Sequence, residues 1–159
     1  MDLSGSITES KYTFNLITLD ELDLEAIDSI EQRCHSHPWS RSALHSSLVN
    51  HYCVGLRTGD SYAGYAVLSF AVGQAELLLF VLDTPWRGRG IAKAFLQQLL
   101  NASSERAQTM FLEVRESNHN AIALYEALGF NQVGLRPNYY PRSSHNKAEN
   151  ALIYAAELV

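Results

Sequence analysis

The alternation of apolar and polar residues divides the chain into short strands and amphipathic helices. Tyr12 to Leu19 alternates as a half-buried strand does. Asp20 then sits as a helix N-cap, and Leu22, Ala26, Ile27 and Ile30 recur on one helical face. His37-Pro38-Trp39-Ser40 ends that helix, and Ser40 is placed to cap a second one reaching about Val49. Three extended runs follow: His51 to Arg57, Ser61 to Phe70 and Ala75 to Leu82. Thr58-Gly59-Asp60 and Val72-Gly73-Gln74 supply the turns, so the runs predict an antiparallel meander. Ile91, Phe95, Leu96, Leu99 and Leu100 share one face of a third helix, from about Gly90 to Ser103. Thr109 to Val114 reads as a strand, and Asn118 to Leu128 as a helix stopped by Gly129. Phe130 to Leu135 and Ala151 to Leu158 are strands, joined by a polar loop from about Arg136 to Asn150.

This order predicts an α/β (α+β) fold. A mixed, largely antiparallel central sheet carries helices on both faces, with crossovers around the third and fourth helices. With 159 residues the chain is long enough for one domain with a sizeable core. Residues 12–159 read as that domain, and residues 1–11 as a flexible polar start.

Composition narrows the class. Apolar residues make up 47% and charged residues 18%, which excludes a disordered chain. No apolar run has the length of a membrane span, and Met1-Asp2-Leu3-Ser4 lacks the start of a signal peptide. Cys34 and Cys53 are too few for a disulfide framework. A cytoplasmic protein with free thiols is the expectation. The net charge of −5 gives no general attraction to nucleic acid or to an anionic membrane, so neither is an expected partner. His35 and His37 have no third ligand at convincing spacing, so no metal is expected.

Candidate chemistry begins where the run Ala75 to Leu82 enters Arg87-Gly88-Arg89-Gly90-Ile91-Ala92 and then a helix. A strand that passes through a glycine-bearing turn into a helix directs free backbone N–H groups at one spot. The positive end of the helix dipole lies there too, so the spot suits a pyrophosphate. Neither Gly-x-x-x-x-Gly-Lys-Ser/Thr nor Gly-x-Gly-x-x-Gly fits. An ordinary strand-to-helix turn is the plain alternative.

The spacing Arg87-x-x-Gly90-x-Ala92 resembles the acyl-coenzyme A loop of the GNAT superfamily of N-acetyltransferases. The stretch from Leu112-Glu113-Val114-Arg115 through Asn118 and Tyr125 to Leu128-Gly129-Phe130 resembles a second signature of that superfamily: strand, polar turn with asparagine, helix with tyrosine. Ile30-Glu31-Gln32-Arg33, Pro38-Trp39-Ser40 and Asn138-Tyr139-Tyr140-Pro141 are similar to segments of its ribosomal-protein alanine N-acetyltransferase branch. The resemblance runs from about Leu19 to the C-terminus.

The resemblance implies acetyl-CoA as cosubstrate and a protein N-terminus as acceptor. The backbone of Phe80, Val81 and Leu82 would pair with the pantetheine arm. The N–H groups of Gly88, Arg89, Gly90, Ile91, Ala92 and Lys93 would hold the pyrophosphate, and Asn118 would bond near the thioester. Glu113 would be general base and Tyr125 general acid, with Tyr139 and Tyr140 lining the acceptor site. Acetyl would pass directly, in a ternary complex, to the N-terminal alanine of the eighteenth small-subunit ribosomal protein. A lysine or small-amine acceptor is one alternative, and a non-catalytic acyl-CoA-binding module another.

Plain alternatives stand beside each role. Glu113 also reads as an exposed position on an alternating strand, Tyr125 as a core aromatic, Asn118 as a helix N-cap, and the tyrosine pair as strand-end packing. The chain also departs from the branch. Leu79 stands where asparagine is common, Phe80-Val81-Leu82 is bulkier than Ile-Ala-Val, and His37 replaces a phenylalanine. The chemistry suits an α-amine: with a pKa near 8, roughly 10% of it is neutral at pH 7, against well under 0.1% of a lysine. A carboxylate acting through water is then base enough.

Overall fold

The structure is a computed structural model and describes residues 3–159. Its strands are β1 (Gly5–Glu9), β2 (Tyr12–Thr18), β3 (Tyr52–Thr58), β4 (Ser61–Ala71), β5 (Gly73–Leu82), β6 (Ala107–Arg115), β7 (Asn131–Tyr140) and β8 (Glu149–Glu157). The helices are α1 (Leu24–Cys34), α2 (Arg41–Asn50), α3 (Ile91–Ser103) and α4 (His119–Ala127). All eight strands form one sheet in the order β1-β2-β3-β4-β5-β6-β8-β7. Every neighbouring pair is antiparallel except β5 and β6, which α3 joins by a crossover.

Helices cover both faces, as the element order predicts. On one side α3 and α4 bury Phe95, Leu96, Leu99 and Tyr125 against Met110, Leu112 and Val114 of β6. On the other, Ile27 and Ile30 of α1 and Leu44 of α2 pack on Tyr65, Val67, Leu79 and Val81. Side chains alternate across a strand, so Glu113 and Arg115 point away from the α3–α4 side.

Three boundaries differ from the sequence pattern. Gly5–Glu9 pairs with β2, and Leu3 and Ile7 are buried, where the pattern predicts a flexible start. The hairpin turns through Ser10 and Lys11, both at positive φ (51° and 70°). That backbone favours Gly or Asn, so the residues there give no hairpin signal. The first helix starts later than expected. Asp20 caps a 3-10 turn over Glu21–Asp23, α1 proper begins at Leu24, and Leu22 is 92% exposed. Finally, β7 continues to Tyr140 through a bulge, where a loop is expected. Asn138 takes a positive φ (52°) in the bulge, and its N–H donates to Asn150 Oδ1 at 2.9 Å.

One irregularity positions the site. The parallel pairing of β5 with β6 ends at Leu77↔Leu112. There the register of β5 on β4 also slips, from Leu77↔Leu68 to Leu79↔Val67, leaving Leu78 as the extra residue. Such a bulge bends the strand that carries it. Beyond it, β5 stays with β4 while Glu113 to Arg115 stay with β8. The two strands therefore part, and among the described residues no strand lies beside the backbone edge of Leu78 to Leu82 that faces β6.

Candidate active site

A cavity of about 360 Å³ lies in that gap. Leu77, Leu78, Leu79 and Phe80 form one wall, and Glu113, Val114 and Arg115 the other. Asn118 and Tyr125 come from α4, and Tyr140 from β7. Cys34, His35, Ser36, His37 and Trp39, around the α1–α2 connection, form the remaining side.

Glu113 and Tyr125 thus reach one cavity from opposite faces of the sheet. Glu113 Oε1 lies 3.1 Å from Arg136 Nε, and its side chain is 21% exposed. Tyr125 packs on Phe130 with ring centroids 5.7 Å apart. Its phenol has no hydrogen-bond partner among the described residues. Burial, with a smaller contribution from Tyr140, pushes its pKa up to about 12. It is therefore fully protonated at neutral pH and able to donate into the cavity.

Asn118 is the N-cap of α4, with Oδ1 accepting from the Ala121 N–H at 3.2 Å, and it also lines the cavity. Both roles proposed for it from sequence are thus geometrically compatible. The tyrosine pair divides. Tyr140 lines the cavity beneath the Arg115 guanidinium, 4.0 Å from its ring centre. Tyr139 is half exposed, stacks edge-on against Tyr140, lies near Arg136, and is not part of the cavity wall.

Phe80, Val81 and Leu82 occupy the open edge of β5, which runs from the cavity toward the start of α3. Gly88 and Gly90 both take positive φ (74° and 80°) in the turn ahead of α3. Gly90 is the N-cap and offers no side chain to the first N–H groups of the helix. Those groups, from Ile91, Ala92 and Lys93, are the free donors an anion needs. Arg87 Nε is tied to the Leu82 carbonyl at 2.9 Å, and the Arg89 guanidinium lies over Trp86 and Tyr12. One group opposes an anion here: Glu9 Oε2 stands 3.8 Å from where a Cβ on Gly90 would lie.

The α1–α2 side is held by two buried acids. Asp83 accepts from Arg33 Nε at 3.0 Å and caps the turn after β5 through the Thr84 N–H at 2.9 Å. The Arg33 guanidinium holds the Asp83 carboxyl below its usual range. Glu31 is wholly buried and accepts from the Trp39 N–H, the Tyr65 hydroxyl and His35 Nδ1 at 2.9, 2.7 and 2.8 Å. Sequence patterning places Glu31 on a helix without signalling its burial, and leaves Arg136 in a loop. Both depend on partners distant in sequence. Cys53 is buried away from the site, and burial pushes its thiol up to about 12.

An open strand edge, an uncapped helix start and an unpaired phenol at one sheet gap suit a thioester cosubstrate with a pyrophosphate tail. Those are the features an acyltransferase site needs. The chain belongs to the acetyltransferase (GNAT) family, whose sequence profile matches residues 24–130. It is an acetyl-CoA-dependent N-acetyltransferase. It is 36% identical over 140 residues to the [ribosomal protein bS18]-alanine N-acetyltransferase of Escherichia coli K12, covering 87% of this chain and 93% of that protein. The crystal structure of the ribosomal-protein-S18-alanine N-acetyltransferase from Escherichia coli superposes with a TM-score of 0.84. That match has 34% identity and covers 91% of this chain and 94% of the other. A GNAT family acetyltransferase from Elizabethkingia anophelis, solved with acetyl-CoA bound, shares the fold with a TM-score of 0.74 at 13% identity. It covers 91% of this chain and 98% of that one.

Proposed function

We propose that this chain moves acetyl from acetyl-CoA to the α-amine of an N-terminal alanine, that of ribosomal protein S18. One observation carries the chemistry: Glu113 and Tyr125 face one cavity from opposite faces of the sheet. The acceptor is supported by similarity to the bS18-alanine enzymes over 87% of the chain.

Acetyl-CoA supplies an activated acyl group on a thiol leaving group. The open edge of Phe80, Val81 and Leu82 is suited to receive its pantetheine arm as an added strand. The N–H groups from Gly88 to Lys93 receive the pyrophosphate, and Asn118 bonds near the thioester. Glu113 accepts a proton from the α-ammonium, directly or through water, because only the neutral amine has a lone pair for attack. Tyr125 donates toward the departing sulfur. Tyr140 lines the acceptor end, and Tyr139 braces it from outside. Similarity to the bS18-alanine enzymes also supports a cytoplasmic location. No helix among the described residues is long and apolar enough to cross a membrane.

Incubation of the protein with acetyl-CoA and S18, followed by mass spectrometry of the S18 N-terminal peptide, tests the acceptor. The expected product carries one acetyl group on the alanine nitrogen. Acetylation confined to lysine side chains contradicts the proposal.

A further inference from the structure

The acid that fastens the α1–α2 connection also fixes the state of a ring in the cavity wall. Burial, the largest influence on Glu31, would raise its pKa. The hydrogen bonds from His35, Trp39 and Tyr65 together outweigh it and hold the carboxyl below its ordinary range. Glu31 is therefore ionised at neutral pH, and an ionised carboxylate only accepts hydrogen bonds. The contact of 2.8 Å then requires the proton on His35 Nδ1. In the neutral ring that leaves Nε2 as the atom with a lone pair. Nε2 has no hydrogen-bond partner among the described residues. The side chain is 34% exposed and lines the cavity that Glu113 and Tyr125 share.

We propose that His35 recognises the acceptor: Nε2 takes one N–H of the incoming α-amine, with the ring held by the buried Glu31 carboxylate. This deepens the N-terminal transfer proposed above and depends on it. An attacking amine must aim its lone pair at the acyl carbon, so its N–H groups must be held pointing elsewhere. Glu113 offers Oε2 as one acceptor, while its Oε1 is shared with Arg136. His35 offers a second one, and its geometry is rigid because α1, β4 and the Trp39 backbone all bond to Glu31. An amine supplies enough N–H groups for both acceptors, whereas a hydroxyl has a single O–H.

The test compares His35→Asn with Tyr65→Phe, using acetyl-CoA and a peptide with a free N-terminal alanine. Asparagine keeps a side-chain N–H that can reach Glu31 but lacks Nε2. His35→Asn is expected to raise the peptide KM about tenfold, the worth of one good hydrogen bond. Its acetyl-CoA dissociation constant is expected to stay within about twofold of wild type. Tyr65→Phe loosens Glu31 while leaving Nε2 in place, so it lowers the melting temperature and raises peptide KM by clearly less than His35→Asn does. A wild-type peptide KM in His35→Asn overturns the proposal and makes His35 only a prop for Glu31. Equal KM increases in both variants overturn it as well. Absence of transfer by the wild-type protein to any free N-terminus is read before a variant is made. It removes the function proposed above and this inference with it.

Discussion

The Tyr65 hydroxyl on β4 donates to Glu31 Oε1 on α1 at 2.7 Å, and both residues are wholly buried. This bond ties the helix beside the acceptor cavity to the middle of the sheet. Tyr65→Phe leaves a buried carboxylate one donor short, which costs about 1–3 kcal/mol. Urea unfolding monitored by circular dichroism is expected to show that loss with an unchanged slope.

Acid sensitivity follows from Glu31 and Asp83, both held below the ordinary carboxylate range. A depressed carboxylate stabilises the fold above its unfolded pKa, about 4 for these groups, and the stability is lost as pH falls through the folded value. The melting temperature is expected to hold near neutral pH and to fall steeply below about pH 4. Tyr65→Phe removes one cause of the Glu31 depression. Measured against its own neutral value, that variant is expected to lose less stability across the same acid range.

Gly90 starts α3 at a φ of 80°, and space exists for a Cβ there, with Glu9 Oε2 the nearest atom at 3.8 Å. Gly90→Ala therefore acts through backbone strain of about 1–2 kcal/mol rather than through a clash. The variant is expected to melt a few degrees lower. Isothermal titration is expected to show weaker acetyl-CoA binding as the turn relaxes and its N–H groups lose alignment.

Tyr125→Phe removes only the unpaired hydroxyl and keeps the ring that packs on Phe130. Proton donation contributes roughly 10²–10⁴-fold in such reactions. A fall in kcat of about 10²-fold, with acetyl-CoA affinity and melting temperature near wild type, is the expected outcome in a thiol-release assay.

The sequence carried the local features well. Helical spacing located α3, Gly129 marked the end of α4, and the second signature stretch named Glu113, Asn118 and Tyr125, which the fold brings to one cavity. The non-local features were hidden. The cavity exists because Leu78 is extra in its register with β4, and no alternation pattern within β5 announces that. The β1–β2 hairpin turns at Ser10 and Lys11, which lack the usual turn chemistry. Arg136 becomes the partner of Glu113 only once the bulged β7 folds back along β8. Glu31 is held as a buried anion by three donors, and one of them, Tyr65, lies 34 positions later on β4.

The central claim is that Glu113 and Tyr125 serve acetyl transfer to an N-terminal amine across the gap between β5 and β6. The most direct measurement is acetyl transfer from acetyl-CoA to a short peptide with a free N-terminal alanine. Its companion is the same peptide with a blocked N-terminus and an added lysine. Transfer to the free terminus alone, strongly reduced in Glu113→Gln and in Tyr125→Phe, is the predicted result. Transfer to the lysine alone, or transfer undiminished in both variants, would contradict it.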